Sequence, residues 1–475
     1  MPHTRKIYLL DPKLLSPETI AVTFAKTSRS PLTFSEIAAE LTDEKSADFN
    51  EKWVVGYGHS SVAEHAVLHI AVENVSRLAI ECLESNRLAA YTEKSSRYQI
   101  WDEEHFSIPP ELTGHPLEKE YREINFRLFR RYQQAVQILT AHLKNEQPRQ
   151  ERESERAFEQ RVRTCCADVC RYYMPASALA NVGMSINARA LEHALVKMLS
   201  HQLAEVREIG REIKSVAQAN IPTLVKYADE NTYVQGLVRA FSRQGAAANM
   251  DSDDAGSWFT HIESTPDGEG KVLAALLSRY GQKSFIHSQA AVAAMSGREK
   301  QSLAADLLGA LGDHDIPARE LEYAHICVEV VLDQGAYFEL KRHRMMTQSA
   351  QDLSAQLGYA VPALFRDAGI SDQFIEDMES VKNSYQQFNE ISPHVAAYLV
   401  PNAFNRRVLL EMNLRSALHL VRLRSAPNAH FSMRRFALRL AEELRERFPL
   451  FAPYILPESR ETWQSISAEH FIRLN

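Results

Sequence analysis

The sequence predicts an α+β protein built as two tandem, helix-rich copies of one unit. Three observations lead there. Gly and Pro number only 17 and 19 in 475 residues, and the long stretches between them favour helix. The motif Asn-x-Arg-x-x-x-His occurs twice, at 187–193 and at 413–419. Between the two lies a polar stretch, 246–271, with Asp251-Ser252-Asp253-Asp254 and Pro266-Asp267-Gly268. It reads as a linker, dividing the chain into copies at 1–245 and 272–475.

In chain order, Gly58-His59-Ser60-Ser61-Val62-Ala63-Glu64-His65 reads as a turn opening a helix. Val67, Ile70, Ala71, Asn74, Val75, Leu78 and Cys82 then fall at helical spacing, with Arg87 closing the pattern. Tyr98-Gln99-Ile100 is a candidate strand. Asn187 and Asn413 are 226 positions apart, and each follows a proline, Pro175 or Pro401, by 12. Arg87 and Arg344 are 257 apart, so the first copy carries about 31 more residues between its motifs, and the charged stretch 117–163 is the place for them. In the second copy Ala324, Cys327, Val328, Val331, Gly335 and Phe338 repeat the helical spacing, ending in Lys341-Arg342-His343-Arg344. Near the end Asn428 is a candidate N-cap, and Met433, Phe436, Ala437, Leu440, Ala441 and Leu444 share one helical face.

Composition narrows the function. A net charge of -7 argues against general nucleic-acid affinity, so an anionic ligand has to be met by local arginine clusters. No run of about 18 apolar residues is present to cross a membrane. The first ten residues lack the apolar core of a signal peptide. Five cysteines, three of them crowded at Cys165, Cys166 and Cys170, do not form a disulfide framework, and a reduced, cytoplasmic protein is expected.

Three constellations can carry chemistry. The segment 58–65 offers the N–H groups of a helix start to an anionic or electron-rich ligand. His65 and His69 stand at i, i+4, but no third ligand is evident, so no metal site is expected. The second runs from Arg87 to Tyr98, where Glu93, Ser95 and Arg97 alternate and an extended backbone would aim all three to one side, with Ser96 between them. Acceptor, hydroxyl and guanidinium together suit a nucleotide's sugar and phosphate, although a solvated turn has the same composition. The third is the basic run 341–344 at a helix end, which either caps the helix or meets an anion.

Taken together, the ordered motifs resemble the flavin-dependent thymidylate synthases, present twice. That family carries Gly-His-x-Ser/Thr-x-x-Glu-His, then Arg-His-Arg-x-x-Ser-x-Asn-Glu-x-Ser-x-Arg-Tyr, then Arg-x-x-Leu-Pro, then Asn-x-Arg-Ser-Leu-x-His/Asn-Phe-x-x-Leu-Arg. Copy one keeps the 58–65 element, Glu93, Ser95, Arg97, Tyr98, Arg171 with Pro175, and Asn187, Arg189 and His193. It has Ser85 and Asn86 in place of the first Arg and the His, and Lys197-Met198 in place of the final Leu-Arg. Copy two keeps Arg342-His343-Arg344, Asn413, Arg415, His419 and Leu423-Arg424. It has Ala350, Asp352 and Ser354 where the Glu, Ser and Arg would stand, and Ala397 in place of the Arg before the proline. The losses are complementary, and one whole site remains between the copies.

The resemblance implies a small antiparallel sheet packed by long helices in each copy. It implies FAD-dependent reductive methylation of dUMP to dTMP, with methylenetetrahydrofolate as carbon donor and NADPH as reductant, at a site composed by both copies. Glu93, Ser95, Ser96, Arg97, Arg171, Glu339 and Arg342 would hold the nucleotide. Arg424 would stabilise negative charge on the pyrimidine ring. His59, Ser61, Glu64, Arg342, His343, Arg344, Asn187, Arg189, His193, Asn413, Arg415 and His419 would surround FAD. A homodimer would reproduce the family's four-unit assembly. Where the family usually has Gln, three positions before Arg-His-Arg, this chain has Glu339. A carboxylate about 4 Å from a phosphate opposes it by about 4 kcal/mol at an effective dielectric of about 20. Either neighbouring arginines offset that charge or the substrate differs there.

Overall fold

Leu68, Ile70 and Val72 are buried while His69 and Glu73 face outward, a period of two rather than of 3.6. The segment expected to be a helix is therefore a strand, β1 (Val67–Ser76), followed by a short helix, Arg77–Leu83, capped by Ser76. The apolar residues satisfy both periods, and it is the interleaved polar side chains that decide between them. The same correction applies in the second copy, where 325–333 form a strand and the helix is only Gln334–Leu340. There the run Ile326, Val328, Val330 and Val331 is β-branched, which favours a pleated surface.

The computed structural model describes Tyr8 and residues 10–27, 30–56, 60–97, 99–247, 257–312 and 314–473. Its contacts separate two compact units. One holds 1–95, 105–118 and 177–250, and the other holds 96–104, 119–176 and 251–475. Helix accounts for 57% of the structure, with small antiparallel sheets.

In the first unit β1 and β2 (Ala89–Glu93) both pair antiparallel with β3 (Leu179–Asn187), in the order β1-β3-β2. The register of β1 shifts between Val72 and Val75, where Asn74 takes a φ of 56°. The segment 60–65 is a 3-10 turn leading into β1, not the start of a helix. Tyr98 and His59 lie outside the described residues, and Gln99 and Ile100 are exposed and belong to no strand.

In the second unit β4 (Phe259–Ser264), β5 (His325–Asp333), β6 (Thr347–Ala350) and β8 (Asn405–Asn413) form an antiparallel sheet in the order β4-β5-β8-β6. A two-residue β7 (Val361–Pro362) pairs with β9 (Phe471–Arg473). β4 and the start of the helix Gly268–Tyr280 lie within the stretch 246–271. The helix Phe431–Arg447 lays Met433, Phe436, Ala437, Leu440, Ala441 and Leu444 against Val328, Val330 and Leu410, the face read from its sequence. Each large apolar side chain so buried contributes about 1.5–3 kcal/mol. Its N-cap is His430, whose Nδ1 accepts from Ser432 N–H at 3.3 Å, not Asn428, which lies in the turn before it. The stretch 117–163 is helical, with Glu118–Glu146 burying Tyr121, Leu128, Phe129, Tyr132 and Leu139, then Glu155–Cys170. All five cysteines are free thiols.

Candidate functional site

The helix Glu155–Cys170 ends in a turn, Arg171–Tyr173, that leads to Pro175. Pro175 forms a bridge with Pro401, its counterpart in the other copy, and Asn402 donates from Nδ2 to the carbonyl of Arg171 at 3.0 Å. Arg171 is thereby fixed inside the second unit, its side chain 3% exposed. Its Nη2 lies 3.4 Å from Glu339 Oε1, and its Nε is buried with no acceptor among the described residues. Glu339 stands in the last turn of Gln334–Leu340 and reaches a second guanidinium with its other oxygen. Arg424 Nη1 donates to Oε2 at 3.1 Å, and Arg424 Nη2 donates to the Glu339 carbonyl at 3.2 Å. The neighbouring arginines therefore do meet the Glu339 charge.

Arg424 also donates from Nε to His343 Nε2 at 2.9 Å. That bond requires a neutral imidazole, and burial together with the adjoining Arg424 charge lowers His343 to about 3. Burial also lowers Arg424, while Glu339 works the other way and Arg342 and Arg97 add to the lowering. Arg97 holds Asp168 with two hydrogen bonds, Nε at 2.6 Å and Nη2 at 2.7 Å, and Nη2 reaches the Asn428 carbonyl at 3.1 Å. Four guanidinium groups, of Arg97, Arg171, Arg342 and Arg424, thus share one region with the carboxylates of Asp168 and Glu339 and an uncharged His343. Among these named groups the guanidiniums are four and the carboxylates two.

Behind Arg171 lies a buried polar network. Asp333 caps the helix Gln334–Leu340, accepting from Ala336 N–H at 2.8 Å, and takes a hydrogen bond from Ser432 Oγ. Burial raises Asp333 and raises the Tyr172 phenol well above its usual range. His430, fully buried, is held well below its usual range by desolvation and by the charges of Arg171 and Arg97.

The remaining expected residues fall into two matched sets. Asn187 and Asn413 are helix N-caps, accepting from Ala190 N–H at 2.9 Å and Ser416 N–H at 2.8 Å. Arg189 pairs with Glu64 in the first unit, and Arg415 pairs with Glu322 at 2.6 Å in the second. Ser61 and His193 are exposed in the first unit. His419 is exposed in the second, its ring 5.9 Å from that of His343. His59 lies outside the described residues. Glu93 is buried against Arg77 at 3.3 Å in the first unit, which also contains Ser95, whereas Ser96 and Arg97 belong to the second. His69 is on β1 and shares a hydrogen bond with Ser185 at 2.7 Å, so the i, i+4 helical pair with His65 does not exist.

Asp168 and Glu322 were not singled out in the sequence. Both carry a signal that could have found them. Asp168 is three residues before Arg171, in the last turn of the helix Glu155–Cys170, and Glu322 occupies the place in copy two that Glu64 occupies in copy one. In the first unit the positions that match Arg342, His343 and Arg424 hold Ser85, Asn86 and Met198, and the neighbouring Lys197 donates to Ser85 Oγ at 2.5 Å and to Asn86 Oδ1 at 2.8 Å. Burial lowers the proton affinity of Lys197.

For a flavin dinucleotide the donor set of the second unit is suitable. Arg342, Arg344 and Arg415 supply positive charge for a pyrophosphate, and the rings of His343 and His419, 5.9 Å apart, supply flat surface.

His343 also sets an acid limit. Its proton-binding is weaker folded than unfolded, so the unfolded chain takes up a proton first as pH falls below about 6.5. Stability should therefore be lost from about pH 6.5 down toward 3, by at most about 1.4 kcal/mol per pH unit from this group. His343→Gln should flatten that part of the curve of denaturant stability against pH, and an unchanged slope would contradict the assignment.

The sequence model of the thymidylate synthase complementing protein family matches residues 11–223 and again 261–450. A UPF0159 protein of Chlamydia muridarum is 28% identical over 436 residues, covering 88% of this chain and 82% of that protein. A UPF0159 protein of Thermoplasma acidophilum is 24% identical over 451 residues, covering 88% and 89%. A flavin-dependent thymidylate synthase of Clostridium tetani is 26% identical over 240 residues, covering 50% of this chain and 91% of that protein. Relatives of both kinds exist, then: some run alongside both copies, and one matches half of the chain with nearly its whole length. Among the described residues no helix is long and apolar enough to cross a membrane.

Proposed function

The chain belongs to the thymidylate synthase complementing protein family, duplicated in tandem, and from that premise we propose that it reductively methylates a pyrimidine deoxynucleotide, dUMP to dTMP, at one composite site in the second unit. Methylenetetrahydrofolate would give the carbon and NADPH the reducing equivalents. The observation that carries this reading is the arginine cluster, to which copy one contributes Arg97 and Arg171 and copy two contributes Arg342 and Arg424. Converging guanidinium donors of this kind suit the oxygens of a phosphate monoester.

In this reading Arg97 and Arg171 bind the 5′-phosphate, the buried Nε of Arg171 being a donor in need of an acceptor. Arg424 stabilises negative charge that develops on the pyrimidine ring. Neutral His343 orients Arg424 by accepting from its Nε. Arg342, His343, Arg344, Asn413, Arg415 and His419 hold FAD, which when bound supplies the hydride that completes the methyl group. In the first unit the positions that match Arg342, His343 and Arg424 hold Ser85, Asn86 and Met198, none of which carries a positive charge.

The purified chain should be yellow and should support growth of a thymidine-requiring strain. No measurable FAD binding in calorimetry, or no growth from a well-expressed chain, overturns the proposal. A homodimer in the cytoplasm, without nucleic acid, completes it. Light scattering that returns the monomer mass at micromolar concentration contradicts the dimer.

A further inference from the structure

An anion that enters the arginine cluster does not meet bare guanidiniums. Arg97 is already held by Asp168 through two bonds, and Arg171 and Arg424 already share the carboxylate of Glu339. The two carboxylates differ in what they bridge. Asp168 serves Arg97, whereas Glu339 joins two arginines that come from different copies, with one oxygen on each.

Glu339 also has little room to withdraw. Its side chain is 7% exposed, and Arg424 ties its backbone carbonyl as well as its carboxylate. A phosphate that reaches Arg171 has to displace this carboxylate from it or lie beside it, and both raise the free energy of the complex. A neutral 5′-hydroxyl incurs neither penalty. A glutamine in the same place would offer the phosphate a donor and no charge.

We propose that Glu339 is an internal anion that competes with the ligand's 5′-phosphate for Arg171 and so sets the selectivity of the site between nucleoside monophosphates and nucleosides. The proposal rests on the pyrimidine-nucleotide reading of the site. Its effect is confined to the charged group: removal of the Glu339 charge strengthens binding of the monophosphate and leaves the nucleoside nearly unaffected.

The test is a thermodynamic cycle on the full-length, FAD-loaded chain, with dUMP and 2′-deoxyuridine as probes and calorimetry as the readout. In Glu339→Gln the affinity for dUMP should rise by about tenfold or more, and that for deoxyuridine should change by less than about threefold. Glu339→Ala removes the same charge and carries the same expectation if Glu339→Gln fails to fold. If dUMP binds the wild type but its advantage over deoxyuridine is unchanged or smaller in the variants, Glu339 is not a competitor and the proposal falls while the nucleotide reading stands. If neither the wild type nor the variants bind dUMP, both fall.

Discussion

Arg424→Ala should abolish turnover and weaken nucleotide binding by about 2–5 kcal/mol, roughly 30- to 5,000-fold. Arg424 is the point where three parts of the site meet. It pairs with Glu339, it donates to His343, and in the proposed reaction it faces the ring where charge develops. Its removal leaves the Glu339 carboxylate, 7% exposed, with Arg171 alone. The matched position in copy one is Met198, which is 1% exposed and packs in the core. Met198→Ala should cost about 2–5 kcal/mol of stability and leave nucleotide affinity unchanged. Calorimetry with dUMP, beside denaturant unfolding of both variants, separates the two outcomes. Wild-type affinity in a folded Arg424→Ala chain would contradict the site.

The second large effect lies at Arg97. Arg97→Ala removes a side chain that is 18% exposed and strips Asp168 of two hydrogen bonds. Nucleotide binding should fall by about 2–5 kcal/mol, since a partly desolvated charge is left without its partner. Ser354 holds the corresponding place in copy two, and its Oγ makes one marginal contact, accepting from Gln356 N–H at 3.4 Å. Ser354→Ala should stay within about 0.5 kcal/mol of wild type in stability and in binding. Equal losses from the two substitutions would mean that the copies had not specialised.

Much of this was legible in the sequence. The 226-residue repeat, the apolar face of the last long helix and the two Asn-x-Arg motifs could all be read there, and in the structure both asparagines are N-caps. The basic run after Leu340 does follow a helix end. What escaped was decided by partners distant in sequence. Val67–Ser76 and His325–Asp333 become strands because β3 and β8 supply the ladder hydrogen bonds, and spacing alone gave an apolar set compatible with either period. Asp168 and Glu322 escaped because their local signals do not show which arginine each carboxylate meets, and that is fixed only once the segments that carry both are packed. The alternation of Glu93, Ser95 and Arg97 suggested a common direction, yet Glu93 turns to Arg77 and Arg97 to Asp168. His430 displaced Asn428 as the cap because the turn at Ala426–Ala429 delays the helix by two residues.

The central claim is that duplication has left one nucleotide site per chain. Calorimetric titration of the FAD-loaded chain with dUMP tests it most directly. One equivalent per chain, lost in Arg97→Ala and in Arg424→Ala alike, is the result expected from a cluster that draws on both copies. Two equivalent nucleotides per chain, or full occupancy in either variant, would contradict it.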